Sequence, residues 1–176
     1  MKTSIFLLLA GCAILTSCEP NTDNPNEQEI VTTLRITATE VPVWTPLVFE
    51  FNDPDGDGGN APTIDTLHLA ASTTYQVSLE LLNESVSPVD TITHEIEEEG
   101  TDHQFFFVPA GVSITASYDD QDSNGDPVGL HSTWTTGAAS SGTLRLTLKH
   151  LDGLPKDGNI NTGDTDIQVD FPVSIQ

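Results

Sequence analysis

From Thr32 to Ile175 the chain alternates apolar and polar residues in short runs: "TTLRITATEV", "PLVFEF", "TIDTLHLA", "TYQVSLELL", "HQFFFV", "VSITASY", "VGLHSTW", "GTLRLTLKH" and "TDIQVDFPVSI". A period of two puts every second side chain on one face, so each run predicts a half-buried strand. Turn-forming clusters separate the runs, among them "NESVSP", "VPAG", "SNGDP", "GAASSG" and "LDGLPKDGN". About nine strands without a sustained helical period predict an all-β fold, an antiparallel immunoglobulin-like β-sandwich with at most one short helix. A closed barrel is the alternative. One stretch, "DTITHEIEEEG", reads two ways. Ile92 and Ile96 stand four apart, as on a one- to two-turn helix, yet Ile92, His94 and Ile96 would also share one strand face.

The residues before this region are of another kind. Lys2 precedes the apolar run "IFLLLAGCAIL", and "LTSC" follows. Eleven apolar residues fall short of the roughly 20 that a helix needs to cross a bilayer, so residues 1–17 read as a signal peptide. Small residues before Cys18 fit a lipoprotein peptidase, which cuts ahead of a cysteine carrying diacylglycerol. An ordinary secretory signal cut elsewhere is the alternative. Residues 18–29, "CEPNTDNPNEQE", lack a large apolar residue and read as a flexible tether. Residues 30–176 then form one domain. With Cys18 acylated and Cys12 removed, no thiol remains to form a disulfide, and stability must come from the core.

Charge narrows the partners. The chain has 5 Lys+Arg and 27 Asp+Glu; without Lys2 the count is 4 against 27, a formal net charge of −23. Nucleic acids and anionic lipids are bound through Lys and Arg, so both are excluded as expected partners. Attachment to the membrane then falls to the acyl chains. A surface this acidic repels itself and favours bound cations.

Two loops offer cation ligands. "FNDPDGDGG" and "YDDQDSNGD" share an aromatic residue, alternating acidic or amide residues and a glycine, and each lies between strands. Calcium takes six to eight oxygen ligands, which alternate positions of a tight loop can supply. The first loop offers Asp53, Asp55 and Asp57, and the second Asp120, Asp122 and Asn124. Neither completes the EF-hand pattern, whose closing Glu would fall at Ile64 or His131. Asp65 lies one place late. The same residues also favour simple turns.

Of the five histidines, His68, His94, His103, His131 and His150, none has the His-Glu-x-x-His spacing. His103 and His131 are the candidates for a zinc or copper site. Catalysis finds no support in a Gly-x-Ser-x-Gly elbow, a phosphate-binding Gly-Lys-Ser/Thr loop or a dinucleotide fingerprint, and the reading is non-enzymatic.

In order along the chain, "DPDGDGGNAP", "LELLNES", "HQFFF", "DSNGDPVGL", "TTGAASSGTLRLTLKH" and "GDTDIQVDFPVSI" resemble the motifs of a family of small outer-membrane lipoproteins of the Bacteroidetes. The resemblance runs from about Val48 to the end and assigns no catalytic residue. It implies an envelope location and an accessory role beside a TonB-dependent receptor, in capturing a nutrient or a metal. Some members carry a type 1 periplasmic binding label, which would require alternating α and β elements; the strand pattern here does not have them. The expected protein is therefore an exported lipoprotein presenting an acidic sandwich as a binding or accessory module. Metal capture for an outer-membrane transporter, or a structural domain with calcium-stiffened loops, are the alternatives.

Overall fold

The computed structural model describes residues 30–56 and 58–176. The signal peptide 1–17, Cys18, the tether 18–29 and Asp57 lie outside the described residues. The alternating runs become ten strands around one helix: β1 (Thr33–Val41), β2 (Pro46–Asn52), β3 (Thr63–Ile64), β4 (Leu67–Leu69), β5 (Thr74–Leu82), α1 (Ile92–Glu98), β6 (His103–Ala110), β7 (Ile114–Tyr118), β8 (His131–Thr136), β9 (Ser140–His150) and β10 (Asp164–Ile175). They form two sheets, one of six strands in the order β3-β2-β1-β5-β8-β7 and one of four in the order β4-β10-β9-β6. The inward residues of each face meet in one apolar core. Leu34 and Ile36 of β1, Leu79 and Leu81 of β5 and Trp134 of β8 enter it from the larger sheet. Leu144, Leu146 and Leu148 of β9 and Val169 and Phe171 of β10 enter it from the smaller one.

Two expectations are corrected. The run "TIDTLHLA" is not one strand: β3 pairs with β2, whereas β4 crosses to the other sheet and pairs with β10. Asp65 makes the break. Its amide donates to the Glu50 carbonyl and its carboxylate accepts the Glu50 amide, which ends the β2 ladder before the chain turns away. The β4–β10 pair is parallel, so the sandwich is not wholly antiparallel; a strand entering a sheet from its neighbour arrives in whichever direction the crossing dictates. All other pairs are antiparallel.

The ambiguous stretch forms α1. Ile92 and Ile96, one turn apart, are both buried, while His94 faces solvent. The Thr93 hydroxyl accepts the Leu81 amide at 2.8 Å, which ties the helix to the end of β5. Replacing Ile96 by Ala should therefore cost about 3 kcal/mol in urea unfolding, and His94→Ala less than about 0.5 kcal/mol. Equal effects would contradict this helical face.

Candidate functional site

At one end of the four-stranded sheet the apolar inward series give way to polar residues. In β6 the series Phe107, Phe105 continues to His103, and in β9 the series Leu144, Leu146, Leu148 continues to His150. Register puts the two histidines directly opposite each other, as it does Phe105 and Leu148. Opposed residues of an antiparallel pair stand close enough for their side chains to touch, and the two rings lie with centroids 4.6 Å apart. Both are buried.

The third member comes from an irregularity. Thr165 opposes Lys149 and Ile167 opposes Leu148, so Asp166 is an extra residue in β10. A bulge of this kind re-aims the side chain it carries. In an unbroken strand Asp166 would share the outer face with Gln168 and Asp170, both exposed. Instead its carboxylate is withdrawn from solvent, with Oδ2 3.7 Å from Nε2 of His103 and Oδ1 3.9 Å from Nδ1 of His150. On the other face the Lys149 ammonium donates to the Thr165 hydroxyl at 2.8 Å and holds the flank of the bulge.

The C-cap residue of α1, Glu99, fixes the His103 ring. Nδ1 lies 3.2 Å from the main-chain carbonyl of Glu99. A carbonyl only accepts, so Nδ1 carries the proton and Nε2 presents its lone pair. Among the described residues Nε2 has no hydrogen-bond partner, and the side chain is 0% exposed. Burial, first, lowers the pKa of His103 to about 4, with the nearby His150 acting in the same direction and the Glu99 carbonyl opposing. Burial raises that of Asp166 to about 6, against the pull of His150 and Lys149. At neutral pH the lone pair of a neutral imidazole thus lies 3.7 Å from the Asp166 carboxylate. A set without Asp166 takes the Glu99 carboxylate instead: one of its oxygens and one nitrogen of each histidine all lie within 4.8 Å of one another.

The surrounding loops are joined by one buried ion pair. Lys156 Nζ lies 3.0 Å from Asp122 Oδ2, with both side chains almost fully buried. It also donates to the carbonyls of Gly100 at 2.5 Å and Pro127 at 3.0 Å, so all three ammonium donors are used. Burial pushes the Asp122 carboxyl up, but Lys156 and the amides of Asp126 and Asn124 outweigh it and hold the carboxyl below its ordinary range. Gly129 closes the same region. Its φ is +95°, and a Cβ there would lie 2.8 Å from the Cβ of Phe105, so only glycine lets loop and strand approach.

The candidate residues read from sequence separate. Both acidic loops emerge at this same end of the larger sheet, but β1 and β5 stand between β2 and β8, about 14 Å at the usual strand spacing. In the first loop Asp55 accepts both the backbone amide and the side-chain amide of Asn60, which hold its carboxyl below the usual range. Asp53 is partly buried, with its amide bonded to the Thr32 carbonyl. In the second loop Asp120 accepts the amides of Gly129 and His131. Asp122 accepts the amides of Asn124 and Asp126, and Asn124 is exposed. The carboxylates of Asp55, Asp120 and Asp122 tie their own loops, whereas Oδ1 of Asp53 is buried without a hydrogen-bond partner among the described residues. His131 is exposed at the start of β8, and the metal-ligand group formed by the described residues takes His103 with His150 and Glu99 instead.

His150, Asp166 and Glu99 were the residues that motif spacing missed. A signal for His150 existed, since it continues the inward series of β9. Asp166 had none, because strict alternation turns it outward. Comparison with protein families, with characterised proteins and with solved structures gives no match to this chain.

Removing one member of a buried pair leaves the other charge uncompensated, at a cost of about 3 kcal/mol or more. Lys156→Met should lower stability by that amount in urea unfolding at neutral pH. Adding Asp122→Leu should restore part of it, and additive losses would show that the ion pair does not join these loops.

Proposed function

We propose that the protein is an exported, lipid-anchored and non-enzymatic binding module of the cell envelope, and that its acidic sandwich captures a divalent transition metal between His103, His150 and Asp166. The observation that carries this reading is Nε2 of His103. A buried polar atom without a hydrogen-bond partner costs about 1–3 kcal/mol, and this one points its lone pair toward a carboxylate. Zinc bonds of about 2.0–2.2 Å put two tetrahedral ligands roughly 3.4 Å apart. The two contacts run to different oxygens of Asp166, from Oδ2 to Nε2 of His103 at 3.7 Å and from Oδ1 to Nδ1 of His150 at 3.9 Å, each a few tenths of an ångström above that spacing. Two imidazole nitrogens with carboxylate oxygen suit zinc or copper(II) better than calcium, which takes oxygen alone.

The site's location supports an accessory role. Ile30 precedes β1 at the end of the sandwich that carries α1, His103 and His150. Residues 18–29 number 12, so an anchor at Cys18 would hold this end within about 40 Å of the membrane. An ion bound there would stand close to an outer-membrane transporter of the TonB-dependent type, in keeping with the family resemblance of the sequence.

Calorimetry on the mature, metal-stripped protein should show about one equivalent of zinc or copper(II) bound. His103→Ala and His150→Ala should abolish it, and His131→Ala should leave it intact. No heat at micromolar metal would end the metal reading. In cells, Cys18→Ala should move the protein from the membrane to the soluble fraction and stop its labelling by palmitate; unchanged membrane recovery would rule out the anchor.

A further inference from the structure

Among the described residues the two sheets end in four edge strands, β3 and β7 in the larger sheet and β4 and β6 in the smaller. An edge strand turns a row of amides and carbonyls away from its own sheet and is a template for a further strand unless something blunts it. Three of these edges are blunted. β3 has 2 residues and β4 has 3. In β6 the Phe105 amide donates to the Val128 carbonyl, the Phe105 carbonyl accepts the Tyr118 hydroxyl at 2.7 Å, and Pro109 has no amide proton to offer. β7, "ITASY", is different: it has 5 residues, no proline, no charge and no bulge against β8. The Ser113 carbonyl accepts the Gly137 amide, and the Asp119 amide donates to the His131 carbonyl. Odd-numbered residues therefore face β8, and Ile114, Ala116 and Tyr118 turn their main-chain groups outward. Among the described residues those groups have no partner, and Thr115, Ser117 and Tyr118 are exposed beside them.

We propose that β7 pairs antiparallel with β7 of a second copy of this chain, about a two-fold axis at Ala116, joining the two six-stranded sheets into one. The strand is self-complementary about that residue. Its outward groups fall symmetrically on residues 114, 116 and 118, so Ala116 meets its own copy, Ile114 meets Tyr118, and each outward amide finds a carbonyl. The opposed side chains suit one another as well. Ile114 against Tyr118 is a β-branched residue beside an aromatic one, and Thr115 against Ser117 sets hydroxyl beside hydroxyl, both favourable cross-strand pairs. Asp119 falls opposite Ser113, so the register sets no carboxylate against another. The large negative charge of each copy still opposes the approach, and the pairing should strengthen as salt screens it.

The test coexpresses two differently tagged full-length copies, one Thr115→Cys and the other Ser117→Cys, and oxidises them. In this register residues 115 and 117 form a non-hydrogen-bonded pair with Cα atoms about 4.5 Å apart, inside the roughly 4.4–6.8 Å that a disulfide spans. A reducible dimer carrying both tags is expected, with none from either variant alone. Ala116→Pro removes an outward amide and leaves the ladder to β8 intact. It is expected to keep the wild-type thermal melt by circular dichroism while halving the protein mass found by sedimentation in detergent. Absence of the mixed-tag dimer, or a wild type that sediments as a monomer at every salt concentration, would overturn the proposal. Cross-linking of either cysteine variant to a different protein in place of its copy would also overturn it, and would make the β7 edge a dock for another chain.

Discussion

Leu144, Leu146 and Leu148 of β9 bury against the larger sheet, and that burial fixes the register of both neighbouring strands. A slip of one residue would turn the whole apolar series to solvent, so the register is strongly specified. Once it is set, His103 and His150 must face each other at the end of the sheet, because Phe105 faces Leu148 one step earlier on the same side. The apolar core thus positions two polar groups that contribute nothing to it. The bulge in β10 adds Asp166 to the same end, and the Glu99 carbonyl selects the nitrogen of His103 that points into the group.

Among the described residues each Lys and Arg side chain has a partner. Arg35 is paired with Glu50 and Glu80, and Arg145 forms a two-pronged pair with Asp170. Lys149 bonds Thr165, and Lys156 bonds Asp122 with two carbonyls. The exposed pairs of Arg35 and Arg145 contribute little to stability, about 0.2–1 kcal/mol each. Their effect is on the field: with these four charges used, the excess of acidic groups stays uncompensated at the surface and draws cations. In the metal reading proposed above, an acidic surface would concentrate divalent ions, and imidazole nitrogens would favour transition metals over the calcium that the loops suggest.

The two acidic loops illustrate how the same residues serve opposite ends. Alternating carboxylates on a tight loop can converge on an ion or turn back onto the loop's own amides. Asp120, Asp122 and Asp55 take the second course among the described residues, each accepting two hydrogen bonds from nearby N–H groups. Lys156 supplies Asp122 with an internal cation, and the pair draws the loop onto the segment after α1. The loop's rigidity in turn supports β6, whose Phe105 amide donates to the Val128 carbonyl at 2.7 Å.

The alternation of apolar residues alone determined most of the strands and the sandwich, because period-two burial is a local property that each segment carries by itself. It also carried the inward direction of His103 and His150, readable as continuations of "FFF" and "LRLTL". The split of "TIDTLHLA" between sheets depended on the Asp65 hydrogen bonds to Glu50, fifteen residues away. The helix over Ile92–Glu98 won because both isoleucines had a core to enter. Asp166 belonged to the tertiary structure entirely: alternation puts it outside, and only pairing with β9 shows that one residue of β10 is unopposed. Likewise the meeting of His103, His150 and Asp166 required strand order and register, which couple positions too far apart in sequence for any local spacing to express.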